Sequence, residues 1–133
     1  MHRARSLSPA PGTANVYVIR APASIATQPL WTIDLDFRGF GTLPARSYLY
    51  GWIAPGAHVL AVLQDDQVQD RLRFVAREGQ NYFFRVKAGL LNLHLERVDD
   101  QTGRALVAAF SLTGDNRFEE ETPPPPSRAA RAE

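Results

Sequence analysis

The chain has 133 residues, 44% of them hydrophobic and 22% charged, which suits one globular core and is too small for two ordinary domains. Its 15 basic and 14 acidic side chains leave a formal net charge of +1, so no long-range field attracts the molecule to nucleic acid or anionic lipid. The sequence contains no cysteine, which excludes disulfides, thiolate metal ligands and a cysteine nucleophile.

The two ends of the sequence differ in composition from its middle. Residues 1–13 are rich in Ser, Pro, Ala and Arg without apolar periodicity, which predicts a flexible arm rather than a signal peptide or membrane anchor. Residues 114–133 contain three consecutive glutamates and then four consecutive prolines, which predicts an acidic, Pro-rich flexible tail. The folded domain is therefore expected over residues 14–113.

The first segments of the domain have the composition of β-strands. Residues 16–20 (Val-Tyr-Val-Ile-Arg) are β-branched and aromatic, and a Pro-containing loop over residues 21–29 follows them. Residues 30–37 alternate between polar and apolar side chains, which predicts a half-buried strand. The side chains expected on its buried face are Trp31, Ile33, Leu35 and Phe37.

Glycine and proline mark the turns that follow. Gly39 and Gly41 predict a tight turn around the intervening residue, and residues 47–53 then form another strand. That strand ends in an Ala-Pro-Gly-Ala-His turn at residues 54–58, and residues 58–63 lead back along it.

The clearest alternation lies in two consecutive segments, residues 70–77 and residues 82–87. The Glu-Gly-Gln sequence at residues 78–80 predicts a hairpin turn between them. A further strand is predicted from the spacing of its inward leucines, which are Leu91, Leu93 and Leu95.

The end of the domain can be interpreted in two ways. Asp99 and Asp100 are suited to cap a short helix over about residues 102–110, whose apolar side chains recur at helical spacing. Gly103 weakens this interpretation, and a last strand over residues 106–112 is the alternative.

These patterns predict a mainly β fold, an antiparallel β-sandwich of about seven short strands with or without one short C-terminal helix. The alternation argues against a parallel α/β architecture. The side chains expected to be largely buried are Val16 or its neighbour Tyr17, Ile33, Leu35, Leu60, Val62, Leu72, Phe74, Tyr82, Phe84, Leu93 and Leu95.

Four segments together resemble a known family. They are residues 16–20, residues 40–43 (Phe-Gly-Thr-Leu) with Ser-Tyr-Leu at 47–49, residues 55–58 (Pro-Gly-Ala-His) and residues 78–83 (Glu-Gly-Gln-Asn-Tyr-Phe). In this order, across about residues 14–112, they resemble the DUF2846 family, small bacterial β-sandwich domains of unknown function often found in predicted lipoproteins. The resemblance implies an interaction or structural role, and it supplies no catalytic residues. The sequence departs from the family pattern because it has no leader and no lipobox cysteine.

The sequence carries no recognisable catalytic pattern. It has neither a Gly-x-Ser-x-Gly nor a His-Glu-x-x-His motif, and the two histidines inside the predicted domain are His58 and His94. His58 follows a turn, where a ring nitrogen is expected to bond local backbone, and His94 is expected on the surface. The chain is therefore predicted not to be an enzyme and to need no cofactor.

Asp34 and Asp36 would project from the same face of one strand, about 6–7 Å apart, within reach of a hard cation. Two carboxylates are too few for a dedicated metal site, so a solvated strand face is the preferred interpretation. No metal is predicted.

The best candidate binding surface is a basic stripe on two strands expected to be adjacent. Its members are Arg71, Arg73, Arg85 and Lys87, with Phe83 available for stacking. The near-neutral total charge and nearby acidic residues argue against nucleic acid, so the expected partner is another protein or an anionic envelope component. The tail glutamates, residues 119–121, are expected to cover the stripe until a partner competes.

The leading hypothesis is a non-enzymatic accessory or binding module of the bacterial cell envelope, with an unknown partner. Its expected location is the periplasm or the outer membrane if a leader was removed, and the cytoplasm otherwise. The alternative is a structural subunit of a larger assembly, with the Pro-rich tail as its docking segment.

Overall fold

Eight strands and one helix make up the part of the chain that the computed structural model describes, residues 8–20, 30–89 and 91–109. Their bounds are β1 (Ala14–Arg20), β2 (Trp31–Leu35), β3 (Arg38–Leu43), β4 (Tyr48–Ile53), β5 (Gly56–Gln64), β6 (Gln67–Ala76), β7 (Asn81–Ala88), β8 (Leu93–Val98) and α1 (Asp100–Ala109). The predicted arm up to residue 7 and the predicted tail lie outside the described residues.

The strands form two four-stranded sheets. Sheet A has the order β4-β1-β7-β8, and sheet B has the order β3-β2-β5-β6. All neighbouring strands are antiparallel except β1 and β7, which are parallel. The predicted β-sandwich is confirmed, with β3 as an additional strand where Gly39 and Gly41 had indicated a turn.

The main core fills the space between the two sheets. Its largest contributors include Val16, Val18, Ile33, Leu60, Val62, Phe74, Tyr82, Phe84, Leu93 and Leu95. The predicted core positions are thus confirmed, except that Leu35 and Leu72 are half-buried at its margin. Leu91 was expected to face inward, but it is 89% exposed because β8 begins only at Leu93.

A second core lies on the outer face of sheet A, between the sheet and α1. It consists of Tyr17, Ile19, Tyr48, Tyr50, Phe83 and Val107, all of them buried. The side chains of β1 therefore contact apolar neighbours on both faces of the sheet, and every residue of this strand is buried. Period-2 alternation cannot identify such a strand, because both of its faces are apolar.

The helix interpretation of the chain end is confirmed as far as the structure describes it. Asp99 is the N-cap, since its carboxylate Oδ1 accepts a hydrogen bond from the backbone N–H of Thr102 at 2.7 Å. The helix begins at Asp100, two residues before the predicted start. Among the described residues, no helix is long and apolar enough to cross a membrane.

The predicted hairpin between β6 and β7 is wrong, because these strands belong to different sheets. The Glu-Gly-Gln turn is an arch that carries the chain from sheet B to sheet A. Backbone hydrogen bonds attach it to the start of β1 and the residue before it, from the N–H of Gly79 to Thr13 O at 2.8 Å and from the N–H of Asn15 to Gln80 O at 3.0 Å.

Candidate functional site

The predicted basic stripe does not exist as one surface. Arg71 and Arg73 lie on β6 in sheet B, whereas Arg85 and Lys87 lie on β7 in sheet A. Phe83 is 1% exposed and lies in the core beneath α1, so its ring is not available for stacking with a ligand. The prediction of adjacent strands is wrong because an arch and a hairpin produce the same alternation in sequence.

The two basic residues on β7 have different surroundings. Arg85 Nε donates a hydrogen bond to Glu96 Oε2 at 2.7 Å, and the two residues lie directly opposite each other on β7 and β8. Lys87 is exposed, opposite His94, which is itself exposed as predicted. Arg85 is thus half of a cross-strand ion pair, which explains its position without a ligand.

A groove of about 420 Å³ lies on the outer face of sheet B. It is lined by Asp36, Phe37, Ala57, His58, Val59, Arg73, Phe74 and Val75. Ala57 lies opposite Val75, and Val59 lies opposite Arg73, across the β5–β6 pair. These four side chains face away from the main core, because the intervening residues His58 and Phe74 are the buried ones.

The turn between β2 and β3 forms one wall of the groove and is attached to β5 by several hydrogen bonds. His58 Nδ1 lies 2.6 Å from Asp36 Oδ2. The N–H of Val59 donates to Asp36 Oδ1 at 3.0 Å, and the N–H of Asp36 donates to Val59 O at 2.8 Å. Both carboxylate oxygens of Asp36 are therefore engaged inside the fold.

Both ring nitrogens of His58 have partners inside the fold. Its Nε2 lies 2.7 Å from the carbonyl oxygen of Ala54, which can only accept a hydrogen bond, so Nε2 carries a proton. Nδ1 faces the carboxyl group of Asp36, so the ring connects the turn to the backbone of Ala54. The predicted bond from His58 to local backbone is confirmed, whereas no sequence pattern indicated its pairing with Asp36.

The backbone of this turn is strained. Asp36 and Phe37 have φ values of 54° and 67°, so both occupy the left-handed region, as in the tight turns of β-hairpins. Asp tolerates this conformation, but a bulky Phe rarely adopts it. The sequence predicted a buried Phe37, yet its side chain is 72% exposed, because the chain has already left β2.

The position of Asp36 also shows whether Asp34 and Asp36 lie together on one strand face, as a shared cation would require. Asp34 remains on the outer face of β2, while Asp36 lies in the turn with both oxygens engaged by His58 and Val59. The structure does not bring them together as a strand-face pair. Within the described ranges, no group of three or more His, Cys, Asp or Glu residues could hold a metal ion.

Arg73 is the cation of the groove. None of the hydrogen bonds or ion pairs among the described residues involves its guanidinium group. Asp36, the acidic residue among those that line the groove, is already paired with His58. The groove therefore combines apolar walls with one guanidinium group that has no hydrogen-bond or ion-pair partner among the described residues.

A second polar cluster lies inside the sandwich near the start of β2. The guanidinium carbon of Arg20 lies 3.5 Å from the ring centroid of Trp31, and Arg20 Nη1 donates to Leu43 O at 2.8 Å. Arg20 is 1% exposed, and this burial lowers its pKa. The cluster is fully enclosed, so it stabilises the fold and offers no surface to a partner.

Comparison with protein-family models and with curated proteins finds no match for this chain. The groove on sheet B is therefore the basis for assigning a function.

Proposed function

We propose that this chain is a non-enzymatic binding module of the bacterial cell envelope that holds its partner in the groove of sheet B. The observation that carries the proposal is the conformation of Phe37, a large apolar side chain that is mostly exposed on a left-handed turn. That conformation costs about 1–2 kcal/mol and contributes little burial in return. Strain of this kind is concentrated at functional positions.

The surroundings of Phe37 support a rigid binding surface. The buried pair of His58 and Asp36 fixes the turn to β5, so the ring is presented in one place rather than on a loose loop. Val75, 63% exposed, lines the same groove. Preorganised apolar groups lower the entropy cost of association.

The bonding of His58 supports binding rather than hydrolysis. A general base needs a ring nitrogen that can accept a proton from a nucleophile. Both nitrogens of His58 already face acceptors within the fold. The envelope part of the proposal is supported by the four segments that resemble the DUF2846 family.

The proposal is tested by placing a photo-reactive benzoylphenylalanine at position 37 of the full chain, expressed in its native host. The matched control is the same replacement at Val68, which is 42% exposed on the same sheet. A cross-linked product from position 37 but not from position 68, recovered with the envelope fraction, is expected. Equal cross-linking from both positions would refute the groove as the binding site. Recovery of the protein only in the cytosol would refute its assignment to the cell envelope.

A further inference from the structure

We infer that the occupant of the groove is an extended segment of a partner protein that carries an apolar side chain next to a carboxylate. The apolar side chain lies between Phe37 and Val75, and the carboxylate binds Arg73. This inference rests on the proposed function and names the partner class of the same site.

The apolar lining of the groove indicates that the bound segment carries an apolar side chain. Phe37 and Val75 are the two most exposed large apolar side chains of the groove, and Ala57 and Val59 of β5 complete its apolar lining beside β6. The volume of about 420 Å³ exceeds what one aromatic ring needs, because a cavity of about 150 Å³ holds benzene. The groove therefore has room for an aromatic or aliphatic side chain together with its neighbours.

The guanidinium group of Arg73 indicates that the bound segment also carries a carboxylate. This residue lies directly opposite Val59, so its side chain begins at the border of the apolar lining. A guanidinium group offers five N–H donors in a planar fork that matches a carboxylate. Asp36 does not compete for it, since His58 and the N–H of Val59 engage the two oxygens of Asp36.

The charge of the surrounding surface favours a single carboxylate over a polyanion. Asp34 and Arg71 both lie opposite Ala61, one on each side of β5, so charges of opposite sign share that row of the sheet. Arg71 shares the outward face of β6 with Arg73, but Asp34 lies in the row of Arg71, and the formal net charge of the chain is only +1. Nucleic acids and anionic membranes are bound through several phosphate contacts, whereas one carboxylate needs a single guanidinium group.

The groove's position favours an extended segment. It lies beside β6, which is an edge strand of sheet B, so a partner can approach without passing over another strand. Extended peptides bind beside such edges, with alternate side chains entering pockets on one face.

The test uses a phage-displayed library of random seven-residue peptides selected on the full chain. Enriched sequences should contain an aromatic or aliphatic residue next to Asp or Glu. A synthetic peptide of the enriched sequence should lose about 10- to 100-fold in affinity for Arg73→Gln, the loss expected for a hydrogen bond between charged groups. The matched control is Arg71→Gln, one outward position away on β6, which should change affinity less than about threefold.

Amide NMR shifts locate the peptide and separate the outcomes. Shifts at Ala57, Val59 and Val75 are expected. If a peptide causes these shifts yet binds Arg73→Gln as well as wild type, this inference is wrong while the proposed function stands. Failure to enrich any peptide, or shifts confined to sheet A, also overturns it. If deleting residues 114–133 produces the same shifts without any peptide, the occupant is the chain's own tail and the partner segment is refuted.

Discussion

Gly103 of α1 lies directly against the ring of Phe83 in sheet A. A Cβ atom at Gly103 would lie 2.1 Å from Phe83 Cγ and 2.5 Å from Phe83 Cβ, both close to the backbone of β7. The glycine that weakened the helix prediction is thus what lets the helix pack closely on the second core.

Gly103→Ala is expected to destabilise the protein by about 1–3 kcal/mol, because overpacking outweighs the gain of about 1 kcal/mol in helix propensity. The free energy of unfolding in urea measures this. The control is Ala105→Gly, an exposed position in the same helix, which should also destabilise, by about 0.5–1 kcal/mol from propensity alone. A more stable Gly103→Ala protein would show that α1 does not pack on Phe83.

His58→Gln is expected to cost about 1–3 kcal/mol of stability, since it removes the two hydrogen bonds of a buried ring. Asp36→Asn should cost a similar amount, and the double variant should cost less than the sum because both changes remove the same pair. Urea unfolding of the three variants checks this, with His94→Gln as an exposed control that changes stability by less than about 0.5 kcal/mol. Additive losses would mean that the two residues do not interact.

Phe37→Gly is expected to stabilise the protein by about 0.5–1 kcal/mol, because glycine adopts a positive φ without steric cost. The same change should abolish binding to the groove. Asp66→Gly is the control, since Asp66 has a φ of 64° in the β5–β6 turn but is a residue type that tolerates this region. Thermal unfolding measures both, and a loss of stability in Phe37→Gly would remove the argument that Phe37 is kept for binding.

Phe84→Ala is expected to cost about 3–5 kcal/mol, enough to unfold a marginal domain. The side chain is fully buried, and its ring centroid lies 4.8 Å from that of Phe74. Leu91→Ala, at an 89% exposed position, should leave the urea midpoint nearly unchanged. A cooperatively folded Phe84→Ala protein of wild-type stability would contradict the packing of β7.

Asp99 is expected to make stability depend on pH in the acid range. The hydrogen bonds that it accepts from the backbone and side chain of Thr102 lower its pKa below the ordinary value of 3.8. The pKa of Asp99 is lower in the folded protein than in the unfolded chain. Its stabilising contribution is therefore fully present at a pH above the pKa of the unfolded chain, and it is lost as the pH falls through the pKa of the folded protein. The stability difference between wild type and Asp99→Asn should therefore shrink as pH falls below about 4. A difference that does not vary with pH would contradict the capping role of the carboxylate.

Local sequence patterns predicted most of the strands, because polar and apolar residues alternate along a half-buried strand. They could not predict which strands pair. The Glu-Gly-Gln turn at residues 78–80 is compatible with a hairpin and with an arch, and only the packing of both sheets decides between them. The assignment of Arg85 to the wrong surface follows from this single ambiguity.

The groove was harder to predict than the fold. Phe37 continues the apolar alternation of β2, and nothing in residue type shows that the chain turns at Asp36. Arg73 was predicted as a binding residue on other grounds, and two of its apolar neighbours in the groove, Phe37 and Val59, lie on a turn and a strand distant from it in sequence. The link between Asp36 and His58, 22 residues apart, has no local pattern.

The central place of β1 in sheet A determines when the protein can fold during synthesis. Asn15 lies opposite Trp52 on one side and opposite Asn81 on the other, so neither neighbouring strand has emerged from the ribosome when β1 does. Pairings between residues so distant in sequence form slowly, and an open strand edge is prone to join another chain meanwhile. A nascent chain that stops before β7 leaves one edge of β1 unpaired, so the pairing of β1 is complete only after residues 81–88 have been made.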